Sequence, residues 1–124
     1  MTEKMKIIDF LRENQLDAIF VQKDENCRYL SKFTGSDSYL LLTKEKLYLL
    51  TDSRYTEQAR KEAADYTVVD YKGHLAEIVA KLAGEYHIKT MGVETVFSYQ
   101  MYLSFHEYMP NIEFRFSQID RLKS

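Results

Sequence analysis

An α/β domain with a mixed sheet flanked by helices is the fold class the sequence predicts, and three observations carry it. Short apolar or β-branched runs alternate with helical stripes along the chain. Two neighbouring runs, Tyr39-Leu40-Leu41-Leu42 and Leu47-Tyr48-Leu49-Leu50, are separated only by Thr43-Lys44-Glu45-Lys46, a hairpin signal of the longer-loop type. No internal repeat, low-complexity segment or linker interrupts residues 1–124, which therefore read as one unit.

The elements follow in order. Thr2 is placed to cap a first helix whose Ile7, Ile8 and Leu11 form an apolar stripe, and Asn14-Gln15 ends it. Ala18-Ile19-Phe20-Val21 reads as a buried strand. Asp24-Glu25-Asn26 opens a short helix through Leu30, and a loop runs from Phe33 to Asp37 before the hairpin. Asp52-Ser53 offers a cap for a helix marked by Tyr55, Ala59 and Ala63. The β-branched Thr67-Val68-Val69-Asp70-Tyr71 is a strand. Leu75, Ile78, Val79, Leu82 and Ala83 give the clearest helical stripe. Met91-Gly92-Val93 reads as another strand, and Ser98 caps a last helix, with Phe97 and Tyr102 spaced for a hydrophobic staple. Pro110 stops that helix, and the alternating Ile112-Glu113-Phe114-Arg115-Phe116 is a final half-exposed strand. The order is αβαββαβαβαβ.

Composition narrows the function classes. The 45% apolar and 29% charged shares are those of an ordinary soluble domain, and a net charge of −2 leaves no basic field for nucleic acid. Cys27 is the only cysteine, which excludes an internal disulfide and fits a reducing compartment. No apolar run approaches a membrane span and the N-terminus has no secretory pattern, so the expected location is cytoplasmic. Ten Tyr, seven Phe and no Trp suit wet-edged surfaces or interfaces, and equally strands and core edges.

Motifs for chemistry are missing. His74, His87 and His106 are far apart, no metal-ligand spacing occurs, and no Gly-x-Ser-x-Gly elbow is present. Phe33-Thr34-Gly35-Ser36 precedes a strand and not a helix, the wrong context for a phosphate loop. Cys27, with no histidine nearby in sequence, reads as core filling.

Two polar and aromatic segments remain, at the ends of elements where a scaffold displays working groups: residues 26–36 and residues 50–59. Arg54 lies at a strand-to-helix turn, and its planar fork suits a carboxylate. Structural roles compete with this. Asp52 caps the following helix or pairs with Arg54 or Arg28, Gly35 supplies a positive φ, and Tyr29, Leu30 and Phe33 belong to the core.

Together the two segments resemble the N-terminal domain of the creatinase, prolidase and Xaa-Pro aminopeptidase family. The matching residues are Asn26, Tyr29, Leu30, Ser31, Phe33, Thr34, Gly35 and Ser36, then Thr51, Asp52, Arg54, Tyr55, Gln58 and Ala59. Lys32 stands where the family usually has glycine, and Asp37-Ser38 replaces a small-residue pair. The resemblance implies a three-layer α/β/α domain with a mixed sheet and a ribonuclease H-like motif. It also implies a parent enzyme whose separate C-terminal domain holds two divalent metals (manganese, cobalt or zinc) that activate a water on the bond before proline. Ile119-Asp120-Arg121-Leu122-Lys123-Ser124 resembles the passage into that domain.

No cofactor is expected in this chain. Its implied partners are the catalytic domain, further copies in a homodimer or higher oligomer, and a proline-containing peptide. In such an assembly Arg54 and Phe33 would contact substrate in a neighbouring subunit. Other readings are the same domain of a creatinase-like amidinohydrolase, a stand-alone interaction module, and a small flavodoxin-like enzyme, the last disfavoured by the lack of a phosphate loop.

Overall fold

A computed structural model describes residues 2–123, with the side chain of Lys123 left aside. The helices are α1 (Glu3–Glu13), α2 (Asp24–Ser31), α3 (Thr56–Glu62), α4 (Leu75–Glu85) and α5 (Tyr99–Tyr108). The strands are β1 (Ala18–Val21), β2 (Tyr39–Thr43), β3 (Leu47–Thr51), β4 (Thr67–Asp70), β5 (Thr90–Val93) and β6 (Glu113–Phe116). Short 3-10 segments cover Ser53–Tyr55 and Ile119–Lys123, the second of which the sequence pattern had not marked. The order matches the one read from the sequence.

All six strands form one sheet in the order β4-β3-β2-β1-β5-β6. β2 is antiparallel to β1 and to β3, whereas the pairs β1–β5, β3–β4 and β5–β6 are parallel. The sheet is therefore mixed. The alternation of strand side chains divides the core into two layers. Ile19, Val21, Leu40, Leu42 and Leu49 face α1, α2, α3 and the last 3-10 segment, through Ile7, Leu11, Leu30, Ala59, Ile119 and Leu122. Ala18, Phe20, Leu41 and Leu50 face α4 and α5 through Val79, Leu82, Ala83 and Phe105. This is the three-layer α/β/α arrangement.

The helix caps operate as the residue types require. The Thr2 and Ser98 hydroxyls accept from Met5 N and Met101 N, satisfying donors that the first turn leaves open. Phe97 and Tyr102, the two positions expected to form a staple, each pack on Phe114 of β6. Strand burial falls from complete in β1 to partial in β4 and β6, as expected for sheet edges.

Candidate functional site

The chain folds so that its two unexplained segments meet. α2 ends at Lys32 in a left-handed turn (φ 72°), and the loop that follows lies against the 3-10 turn and α3. Phe33 packs edge-on to Tyr55 with ring centroids 6.4 Å apart. The Thr34 N–H and hydroxyl both donate to Glu62 Oε1, at 2.8 and 2.9 Å, and Gln58 Nε2 donates to Thr34 Oγ1 at 3.2 Å. These bonds hold the Glu62 carboxyl below its ordinary pKa, chiefly through the Thr34 backbone N–H. Glu62 carried no signal in the sequence beyond its spacing from Gln58 on one helix face.

Arg54 leads the exposed side of this junction. Asp52 Oδ1 accepts from the Arg54 backbone N–H at 2.9 Å, which caps the turn. The same carboxylate accepts from Nε at 3.1 and 3.2 Å and from Nη2 at 2.7 Å. Asp52 thus pairs with Arg54 as expected, but it caps the 3-10 turn and not α3, whose N-cap is Tyr55 and has no side-chain cap bond. The guanidinium lies 5.1 Å from the Tyr55 ring centroid, and the side chain is 68% exposed. Hydrogen bonds to Arg54 lower the Asp52 pKa, and those to Asp52 raise that of Arg54. With the Nε edge occupied, the fork formed by Nη1 and the second hydrogen of Nη2 remains for another carboxylate.

Several expected residues behave differently. Phe33 is 1% exposed, so in this chain its ring presents no surface to a substrate; it anchors the loop beneath Tyr55. Tyr29, read as core, is 39% exposed, because it occupies the outer face of the short α2 while Cys27 and Leu30 turn inward. The Lys32 ammonium lies 5.0 Å from the Tyr29 ring centroid.

Gly35 does not adopt a positive φ; Gly73 is the glycine that does among those described. A Cβ at Gly35 would collide with the Phe33 ring, at 2.8 Å from Cε2, so close approach and not backbone twist requires glycine there. Ser36 is exposed on the loop.

Asn26 joins a separate, buried cluster. Its Nδ2 donates to Glu94 Oε2 at 2.5 Å, while Glu94 Oε1 accepts from the N–H groups of Gln22 and Lys23 at 2.5 and 2.9 Å. Sequence reading missed Glu94, since a lone acid after a strand reads as surface. Cys27 is core, its thiol 3.6 Å from the carbonyls of Val21 and Ser38, and burial pushes its pKa up to about 12. The three histidines are exposed. Among the described residues no group of three or more His, Cys, Asp or Glu stands where it could hold a metal ion, so the donor set for a metal pair is not met here. No helix among them is long and apolar enough to cross a membrane.

Comparison with known proteins agrees with the two-segment motif. A family model described as the creatinase/prolidase N-terminal domain matches residues 5–121. An uncharacterized peptidase, YqhT, of Bacillus subtilis is 30% identical over 105 residues, covering 79% of this chain and 30% of that protein. An Xaa-Pro dipeptidase of Pyrococcus horikoshii is 33% identical over 101 residues, covering 80% of this chain and 27% of its own. The solved Xaa-Pro dipeptidase of Bacillus anthracis superimposes with a TM-score of 0.86 at 29% identity, over 94% of this chain and 33% of that one. The chain thus spans about a third or less of each of these relatives. It belongs to the creatinase/prolidase N-terminal domain family.

Proposed function

We propose that this chain is the non-catalytic N-terminal domain of an Xaa-Pro dipeptidase or aminopeptidase, serving to build its homo-oligomer and to close the active site of a neighbouring subunit. Family membership and the names of the relatives supply the peptidase class. In this reading a separate domain of the parent enzyme holds the divalent metal pair. The setting proposed is cytoplasmic.

The observation that carries the role of the domain is the display of Arg54. An exposed guanidinium oriented by Asp52 and braced by the Tyr55 ring keeps one fork open toward a partner. A peptide ending in proline presents a carboxylate that such a fork binds in two parallel hydrogen bonds. Arg54 is assigned to that carboxylate across the subunit interface. Phe33 acts as a positioning residue, fixing Tyr55 and the loop from within.

In a full-length enzyme carrying this domain, Arg54→Ala raises KM or lowers kcat/KM by about tenfold or more, the loss expected for one charge-assisted hydrogen bond. Arg54→Lys keeps the charge but not the fork and recovers only part of the loss. Steady-state kinetics on an Xaa-Pro dipeptide measure both. Kinetics unchanged in Arg54→Ala would reduce the residue to a structural pair with Asp52.

A further inference from the structure

We propose that β6 pairs with the β6 of a second copy of this chain, antiparallel and centred on Phe114, so that two six-stranded sheets join into one. This gives a surface to the oligomerisation proposed above and rests on that part of the reading alone, not on the role of Arg54.

β6 is the last strand of the sheet and pairs only with β5 among the described residues. The N–H groups of Glu113 and Ser117 donate to Lys89 O and Val93 O, so the odd-numbered residues face β5. In a parallel pair the alternate residues then turn their N–H and C=O groups away from that partner. Phe114 and Phe116 therefore present unpaired backbone groups at the edge. The usual guards of such an edge, lysine, proline or a bulge, are absent from Glu113-Phe114-Arg115-Phe116.

The charges choose the register. In an antiparallel pairing centred on Phe114, that residue forms the hydrogen-bonded pair with its own copy. Glu113 then stands opposite the partner's Arg115, and Arg115 opposite the partner's Glu113. Within each chain Arg115 Nε donates to Glu113 Oε2, and this pair, on one face and 38% and 61% exposed, would extend with the partner's pair into an alternating network of four charges. Centring on Glu113 or on Arg115 would instead set like charges against each other.

The other face agrees. Phe114 meets the partner's Phe114, and Phe116, 72% exposed, meets the partner's Ile112. Beside them an apolar groove of about 400 Å³, lined by Val93, Phe97, Tyr99, Tyr102, Phe114 and Phe116, gains a cover. The arrangement is two-fold and self-complementary. The opposite edge, β4, has Asp70 as its only charge and offers no such complement.

A four-residue edge is short, so the association is concentration-dependent. Light scattering and sedimentation of the 124-residue chain from about 10 μM to about 1 mM are expected to show a monomer–dimer equilibrium. Glu113→Arg and Arg115→Glu make the edge wholly positive or wholly negative, and each weakens self-association at least about tenfold. An equimolar mixture of the two variants restores a 1:1 dimer, because every opposed pair is again of unlike sign. In the unsubstituted chain, hydrogen exchange at the Phe114 and Phe116 amides slows as concentration rises, a readout that needs no variant to fold. Either of two results overturns the proposal: a chain that stays monomeric throughout, or variants that dimerise as the parent does. The second would leave oligomerisation standing on another surface.

Discussion

Glu94 and Asp52 perform the same local task, each accepting backbone N–H groups where a segment begins, but one does so in the interior and the other at the surface. Glu94 is 4% exposed and gathers three donors, from Gln22, Lys23 and Asn26. Asp52 is partly exposed and spends most of its capacity on one flexible cation. Water can replace Asp52 at little cost, whereas the donors around Glu94 are largely withdrawn from solvent. The interior cluster therefore fixes where α2 starts. The surface cluster orients Arg54 without committing the fold to it, which suits the carboxylate contact proposed for it.

The largest effect that sharpens this contrast is at Glu94. Glu94→Ala leaves three donors without their acceptor, one buried and two part-buried, and is expected to lower stability by about 2 kcal/mol. Urea unfolding measures it, with Asp52→Ala as the counterpart expected to shift the midpoint far less. Equal losses would erase the distinction between the two clusters. Gly35→Ala comes next: its Cβ would fall on the buried Phe33 ring, and the displaced ring costs about 2 kcal/mol by overpacking. The same denaturation assay reads it, and an unperturbed midpoint would show that the loop yields freely.

The elements were legible because their signals are local. Thr2 and Ser98 announced caps, and the runs at 39–42 and 47–50 announced a hairpin, each within a window of a few residues. Strand order was not legible, since β1 pairs with β5 across some 70 residues and periodicity names a buried face without naming its partner. Tyr29 was misread for a related reason: in an eight-residue helix the apolar stripe is too short to separate an inward aromatic from an outward one. Glu94 was invisible because its partners, Gln22, Lys23 and Asn26, lie far back in the chain. Of the candidate site, the motif pointed to two segments. Only the fold showed that they touch, through Phe33 with Tyr55 and Thr34 with Gln58 and Glu62.

The smallest effect lies three residues from Gly35 and tests how the loop leaves α2. Lys32 carries φ 72° at the helix end, the left-handed conformation that glycine adopts freely and a side chain resists by about 1 kcal/mol or more. Lys32→Gly removes that strain. It also removes the bond from the ammonium to Tyr29 O at 2.8 Å and the contact with the Tyr29 ring. Both are exposed, so together they offset only a few tenths of a kcal/mol, and the unfolded chain gains some freedom from glycine. The net expectation is a stabilisation of about 0.5 kcal/mol, seen as a higher urea midpoint with an unchanged slope. A destabilised Lys32→Gly would mean that the lysine contacts, and not the backbone turn, hold the loop in place.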